Sequence, residues 1–179
     1  MCLDEFRRAG RILADAGLVQ SSSGNMSIRS GEDIFVTRSG SNLANLSTDD
    51  IVKTGINEDY RGCFQPSSEI EVHRTVYRQT RWLAVVHTHL PWAITLSLTN
   101  APMPESVNVV GSGGRIVPGI WGDEIALALK SSGLVMVKDH GSFAGAGTLA
   151  EACKLTLDFE QRCREQASLW GLPLQSVSE

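Results

Sequence analysis

The sequence predicts an α/β protein with a three-layer α/β/α architecture, in which helices cover both faces of a central sheet. Segments with apolar residues at helical spacing alternate along the chain with short apolar runs that are typical of strands. No internal repeat, low-complexity tract or linker-like stretch interrupts the 179 residues. We therefore expect a single domain over residues 1–179.

Four segments carry helix signals. Near the N-terminus, "LDEFRRAGRILADAGLV" has apolar residues at helical spacing, and Gly17 would end that helix. The stretch "PSSEIEVHRTVYRQT" opens with a proline, two hydroxyls and an acid, which predicts a helix N-terminus. A short helix is predicted for "PWAITLSL". The longest is predicted for "TLAEACKLTLDFEQRCREQASLW", where Thr148 can cap the first turn together with Glu151.

The strand signals are shorter. "NMSIR" and "DIFVTR" predict two strands joined by a hairpin turn at residues 31–33. "WLAVVHTH" and "GLVMVKDHG" are apolar runs that each predict a strand with histidine at its end. Between these pairs, "STDDIV" predicts one capped turn with Ser47 or Thr48 as the N-cap.

The composition argues against partners that are bound mainly through charge. A net charge of -4 gives no general attraction to nucleic acid or to anionic membranes, and no apolar run reaches transmembrane length. The N-terminal "MCLDEFRRAGRIL" lacks the apolar centre of a signal peptide. Because the four cysteines are scattered, with no CxxC pair, we expect reduced thiols and a cytoplasmic protein.

Three of the four histidines follow predicted strands. Residues i and i+2 of a strand point to the same face, so the rings of His87 and His89 can converge. His140 follows the second apolar run in the same way, and strand ends in α/β sheets form binding crevices. Each histidine alone could be a hydrogen-bonded core residue, but three imidazoles with an open fourth position are typical of a catalytic zinc-type site.

Glu69 follows two serines at the predicted helix start and has two interpretations. It can be an ordinary first-turn acid that interacts with the helix dipole. Alternatively, its carboxylate points toward the metal and serves as a ligand or as an ionised base. His73, four residues later, either orients Glu69 or is a plain surface histidine.

Three turns rich in glycine, serine and asparagine predict an anion site. They are "SSSGNMS", "TRSGSN" and "PSSE", and their free amides and hydroxyls can cradle a phosphate. Each turn taken singly is usually only a turn. Beside a metal site, the three together favour a small phosphorylated substrate.

The motifs "SSSGNMSIR", "VTRSG", "PSSE", "AVVHTH" and "DHG" occur in the order and approximate spacing of the class II aldolase/adducin family. The chain resembles that family over nearly its whole length. The resemblance implies a central, mainly antiparallel sheet, in place of the parallel sheet that the strand ends alone suggest. It also implies a set of site residues. The metal ligands for Zn²⁺, or for another divalent ion such as Co²⁺ or Mn²⁺, are His87, His89 and His140, with Glu69 as catalytic acid/base and additional ligand, and the phosphate cradle is Ser22, Gly24, Asn25, Ser39, Gly40, Ser67 and Ser68.

Glutamate at position 69, where the epimerase branch tends to have aspartate, favours an aldolase that resembles fuculose-1-phosphate aldolase. The implied reaction is cleavage of a ketose 1-phosphate to dihydroxyacetone phosphate and an aldehyde, through a metal-stabilised enediolate. A pentulose-phosphate epimerase, a methylthioribulose-1-phosphate dehydratase and a non-catalytic adducin-like module remain as alternatives. Similar members form homotetramers with active sites at subunit interfaces, and we expect the same assembly here.

Overall fold

The computed structural model describes residues 3–19, 23–60, 65–104, 107–111 and 120–173. The helices in these ranges are α1 (Leu3–Asp15), α2 (Ile70–Gln79), α3 (Pro91–Ser97), α4 (Ile120–Ser132) and α5 (Leu149–Leu169). The strands are β1 (Asn25–Ser30), β2 (Asp33–Thr37), β3 (Ile51–Gly55), β4 (Ala84–Thr88), β5 (Asn108–Val110), β6 (Leu134–Val137) and β7 (Gly141–Ala146). None of these helices is both long enough and apolar enough to cross a bilayer.

The strands of the described ranges form one sheet in the order β3-β2-β1-β4-β7-β6-β5. Neighbours are antiparallel throughout, except for β5 and β6. The mainly antiparallel sheet is thus confirmed, and the parallel sheet suggested by the strand ends is wrong. The short turn after Val137 returns the chain directly into β7, which leaves no crossover helix between these neighbours.

Alternate residues of the central strands enter two separate cores. Val86 of β4 packs in a core with residues of α1, α3 and α5, while Val85 packs on the opposite face with residues of α2 and α4. Successive side chains of a strand point to opposite faces, so a continuous apolar run is needed where both faces are covered. The predicted three-layer α/β/α arrangement is confirmed.

The helix and strand signals missed β3, β5, β7 and α4. The sequence of β7, "GSFAGA", is fully buried between β4 and β6, yet it lacks the branched residues that usually mark a strand. Gly145 shows why, because a Cβ there would lie 2.6 Å from the Trp82 ring. Tertiary packing therefore selects small residues in β7, where local propensity predicts no strand.

Candidate active site

The candidate site lies at one end of the three central strands, β1, β4 and β7. The antiparallel register pairs Asn25 at the start of β1 with His87 near the end of β4, and pairs His87 with Phe143 near the start of β7. Gly24 allows the chain to enter here, because its φ is 77° and a Cβ would lie 2.7 Å from the carbonyl oxygen of His87. Residues that are far apart in sequence therefore meet at this end of the sheet.

The three predicted histidine ligands converge. The ring centroid of His87 lies 5.0 Å from that of His89 and 4.9 Å from that of His140, and the last two are 5.0 Å apart. His87 belongs to β4, whereas His89 lies just beyond the strand. A ring nitrogen from each of the three lies within 4.8 Å of the others, so the group could hold a metal ion.

His140 lies in the turn between β6 and β7. The sequence pattern had placed it at the end of a strand. Asp139, immediately before it, has a φ of 59°, in the left-handed region that aspartate tolerates better than most residues. The Asp139 amide donates to Ser97 Oγ at 3.1 Å, and the His140 amide donates to the carbonyl of Val137 at 3.1 Å. These bonds hold a tight turn that points the His140 ring back toward β4.

Hydrogen bonding leaves the His87 ring ready to act as a ligand. The Nδ1–H of His87 donates to the carbonyl oxygen of Ser142 at 2.9 Å, so its Nε2 carries the lone pair. Burial lowers the pKa of His87 to about 3 although the charge of Glu69 opposes this, and burial also lowers the pKa of His89. Neutral imidazoles are the form that binds a metal. Nε2 of His89 lies 3.1 Å from Nε2 of His87, within hydrogen-bonding distance. Three neutral imidazoles that converge beside a carboxylate are a donor set that fits a divalent metal.

Glu69 is not a first-turn acid, because α2 begins one residue later, at Ile70. Glu69 occupies the N-cap position without a side-chain cap bond, and its carboxylate points at the histidines instead. Its Oε1 lies 3.2 Å from His140 Nε2, and its Oε2 lies 3.4 Å from His87 Nε2 and accepts from Asn25 Nδ2 at 2.6 Å. Burial raises the pKa of the Glu69 carboxyl, but these partners outweigh burial and hold the pKa well below its usual range. The carboxylate is therefore ionised at neutral pH.

A cavity of about 430 Å³ opens beside the histidines and Glu69. The Ser67 amide donates to the carbonyl of Thr37 at 3.1 Å and the Ser39 amide to that of Gln65 at 3.2 Å, which holds the "TRSG" turn against "PSSE". Ser22 lies outside the described residues. All the other predicted site residues line this cavity: Gly24, Asn25, Ser39, Gly40, Ser67, Ser68, Glu69, His87, His89 and His140.

The sequence interpretation missed Arg38 and left two alternatives open for His73. Arg38 lines the cavity and forms an ion pair with Asp50 at 3.3 Å. A cation inside the "VTRSG" turn was the available signal. His73 is fully buried, so the surface alternative is wrong. Its Nε2 lies 2.5 Å from Asn25 Oδ1, and burial lowers its pKa to about 4 although the charge of Glu69 opposes this.

Comparison with known proteins gives the family. A family profile described as "Class II Aldolase and Adducin N-terminal domain" matches residues 4–167. The chain belongs to the class II aldolase/adducin family. With a site that could hold a metal, it is an enzyme of the class II aldolase type.

Relatives within the class II aldolase/adducin family are similar over most of the chain. The 5-methylthioribulose-1-phosphate/5-deoxyribulose-1-phosphate aldolase of Rhodospirillum rubrum is 28% identical over an alignment of 186 positions, which covers 94% of this chain and 84% of the relative. An L-fuculose phosphate aldolase of Escherichia coli is 28% identical over 155 residues, which cover 80% of this chain and 72% of the relative. The crystal structure of L-fuculose-1-phosphate aldolase from Thermus thermophilus superposes with a TM-score of 0.80 at 26% identity, covering 94% of both chains. The class II aldolase fold is therefore shared.

Proposed function

We propose that the chain is a metal-dependent aldolase that cleaves a ketose 1-phosphate to dihydroxyacetone phosphate and an aldehyde. One observation carries the proposal: three histidine rings and the Glu69 carboxylate converge beside a cavity lined by hydroxyl and glycine turns. The relatives named as aldolases of fuculose phosphate and of 5-deoxyribulose 1-phosphate support this substrate class. Fuculose 1-phosphate is the specific substrate that the family motifs favour.

The metal in this proposal is Zn²⁺, with Co²⁺ or Mn²⁺ as alternative ions. His87, His89 and His140 would hold it, and Glu69 lies close enough to join them before substrate arrives. When bound, the ion supplies a Lewis acid for negative charge that develops on the ketone fragment. The carbonyl of Ser142 supports this arrangement, because it keeps the His87 proton on Nδ1.

Glu69 carries the proton in the proposed reaction. Cleavage removes the proton of the hydroxyl on the carbon that becomes the aldehyde and leaves the electron pair of the broken carbon–carbon bond on the ketone fragment. Glu69 takes up one proton and delivers it to that carbon, so the reaction consumes no net proton. In the synthetic direction, Glu69 removes a proton from the hydroxyl-bearing carbon of dihydroxyacetone phosphate. Its ionised state at neutral pH suits this second role, since a general base must begin without its proton.

The phosphate end of the substrate would lie against the turns opposite the histidines. Ser39, Gly40, Ser67 and Ser68 offer hydroxyl and backbone groups to phosphate oxygens. Arg38 adds a positive charge at the same wall, where a charge-assisted bond to phosphate is stronger than a neutral one. Holding the phosphate positions the reacting carbons and lowers the entropic part of the barrier.

A substrate panel tests the proposal. Protein loaded with zinc, cobalt or manganese is incubated with L-fuculose 1-phosphate, 5-deoxyribulose 1-phosphate and 5-methylthioribulose 1-phosphate. Dihydroxyacetone phosphate is then measured by its coupled reduction with NADH. We expect release from at least one substrate and none after metal is removed with a chelator. Absence of dihydroxyacetone phosphate from all three substrates with every metal would contradict an aldolase.

The same assay separates the alternatives by product. A dehydratase would consume methylthioribulose 1-phosphate without releasing dihydroxyacetone phosphate, and an epimerase would interconvert pentulose 5-phosphates. An adducin-like module would bind less than about a tenth of an equivalent of metal even after zinc is supplied. The convergence of the three histidines favours the enzyme.

We also propose a homotetramer with sites at subunit interfaces, located in the cytoplasm. Exposed Val109 and Leu127 line an open depression of about 730 Å³ beside β5 and α4, a surface of the kind that a subunit contact covers. Cys153 and Cys163 are free and buried, which suits a reducing compartment. Light scattering should give four times the mass of one chain, and a monomer mass at assay concentration would contradict the tetramer.

A further inference from the structure

A chain of buried hydrogen bonds runs from α2 through β1 to Glu69. Tyr77 Oη lies 2.7 Å from Ser27 Oγ, which lies 2.6 Å from His73 Nδ1. On the other side of the ring, His73 Nε2 lies 2.5 Å from Asn25 Oδ1, and Asn25 Nδ2 lies 2.6 Å from Glu69 Oε2. Tyr77, Ser27 and His73 are almost completely shielded from solvent, so no bulk water competes for these bonds.

The orientation of the Asn25 amide sets the donors along this chain. Asn25 donates from its Nδ2 to Glu69 Oε2 and turns its Oδ1 toward the His73 ring. That oxygen needs a donor, which places the His73 proton on Nε2 and leaves Nδ1 as an acceptor. The Ser27 hydroxyl then donates to Nδ1, and its oxygen accepts from the Tyr77 hydroxyl. Every bond therefore donates in the direction of Glu69.

We propose that His73 is a positioning residue for Glu69: its Nε2–H locks the Asn25 amide so that Nδ2–H holds the carboxylate beside the three histidines. The inference rests on the proposed function, in which Glu69 transfers the proton. His73 itself does not touch the cavity, which is lined by Asn25 and Glu69. It acts only through the amide between them.

The need for such a lock follows from the symmetry of an amide group. Asn25 could rotate by half a turn at little steric cost, and its Oδ1 would then face the Glu69 carboxylate across 2.6 Å. That arrangement repels the carboxylate and loses a charge-assisted bond. A donor on His73 makes the flipped amide unfavourable at its other end as well, so the side chain has one orientation.

Two substitutions test the positioning role in the zinc-loaded protein. His73→Leu removes the ring donor, whereas His73→Gln places an amide N–H near the position of Nε2. We expect His73→Leu to slow exchange of the dihydroxyacetone phosphate carbon-bound proton with solvent by about 10- to 100-fold, with KM and zinc content unchanged, because proton transfer is sensitive to placement. His73→Gln should restore the rate to within about fivefold of the original. A folded His73→Leu protein with the original exchange rate, or a glutamine variant no faster than the leucine variant, would overturn the proposal.

Nitrogen NMR of the unmodified protein supplies a readout that needs no activity. Ring ¹⁵N shifts should show His73 protonated at Nε2 and bare at Nδ1, and one Asn25 amide proton should move upfield in Glu69→Ala. Tyr77→Phe is the matched control at the far end, and it should leave both signals and the exchange rate nearly unchanged. A proton on Nδ1 of His73 would overturn the assignment.

The NMR result also keeps two failures apart. If no ketose phosphate is cleaved and no exchange occurs, the proposed function fails, and the tautomer alone then supports or overturns the hydrogen-bond chain. If cleavage and exchange proceed but do not respond to His73→Leu, the function stands and the positioning role fails.

Discussion

Asn25 has two roles in the site: it lines the cavity and it connects Glu69 to His73. The motif "SSSGNMS" suggested a phosphate-cradle position, and Asn25 does line the cavity. Its amide, however, bonds Glu69 at one end and His73 at the other. Because an amide has a donor face and an acceptor face, it can join a carboxylate to a neutral imidazole. In the described residues, no buried side-chain nitrogen or oxygen lacks a hydrogen-bond partner.

The histidine cluster predicts a direct test of metal binding. We expect His89→Ala to reduce bound zinc by at least about tenfold and to abolish activity with it, because two imidazoles hold a divalent ion poorly. Metal content after dialysis against a defined zinc concentration measures this. Asp158→Asn on the exposed face of α5 is the control and should keep its metal. Full zinc occupancy in His89→Ala would remove His89 from the ligand set.

Glu69 predicts a separation of metal binding from proton transfer. Glu69→Gln keeps the shape and an acceptor for Asn25 but cannot take up a proton as a base. We therefore expect zinc to remain bound while solvent exchange of dihydroxyacetone phosphate slows by about 10²- to 10⁴-fold. Deuterium incorporation followed by proton NMR measures the rate. An unchanged rate would exclude Glu69 as the base.

At the scale of elements, the boundaries of helices and turns decide what the site contains. Had α2 begun at Ser67, Glu69 would sit in its first turn and interact with the helix dipole. A bridge between Arg38 and Pro66 keeps the preceding segment extended beside β2, so α2 begins at Ile70 and Glu69 points into the site. The turn that carries His140 acts in the same way.

The packing of α1 against the 3₁₀ turn Leu43–Asn45 predicts that Gly10→Ala destabilises the protein, whereas helix propensity alone predicts that it stabilises the protein. Alanine normally stabilises a helix by about 1 kcal/mol relative to glycine. In Gly10→Ala, however, the new Cβ would lie 2.0 Å from the Leu43 carbonyl oxygen. We expect a net loss of about 1–3 kcal/mol in the free energy of unfolding, measured by urea denaturation. Arg8→Ala, on the exposed side of α1, should change stability by less than about 0.5 kcal/mol, and a stabilised Gly10→Ala protein would contradict the packing.

At the scale of the whole molecule, the sheet joins two cores, and α5 is the longest element that seals one of them. Glu160 of α5 is buried in that layer and accepts from the backbone amides of Trp92 at 2.8 Å and Ala93 at 3.1 Å. Burial raises the pKa of Glu160 to about 7, although these amides oppose the shift. The position links the protonation of one acid to the stability of the molecule.

The sign of that linkage follows from the raised pKa of the folded state. The folded protein binds this proton more tightly than the unfolded chain, so its contribution is complete below about pH 4.5 and is lost as pH rises through about 7. The loss amounts to at most about 3 kcal/mol. We expect the stability of Glu160→Gln, taken as a difference from that of the original protein, to increase as pH rises from 5 to 8, because the variant has no proton to lose at this position. Denaturation curves at both pH values measure this double difference, and a difference that does not vary with pH would contradict it. A single transition in those curves would also support the predicted single domain, residues 1–179.

The motifs carry their chemistry locally, and this is why they could be interpreted from the sequence. The "HTH" spacing, the glycine and serine turns, the interleaved helices and strands and the cap at Thr148 all depend on a few adjacent residues. The order of five such motifs was enough to indicate the family. Local patterns also predicted the three turns and the histidines that line the cavity, and the family resemblance supplied the individual cradle residues.

Contacts between distant residues could be obtained only from the folded chain. Asn25 and Glu69 are 44 residues apart, and Asn25 and His73 are 48 apart, so no local pattern shows that they touch. The burial of His73, the start of α2 at Ile70 and the strand at "GSFAGA" likewise depend on what packs against them. Residue types set what each group can do, while strand register and packing set which groups do it together.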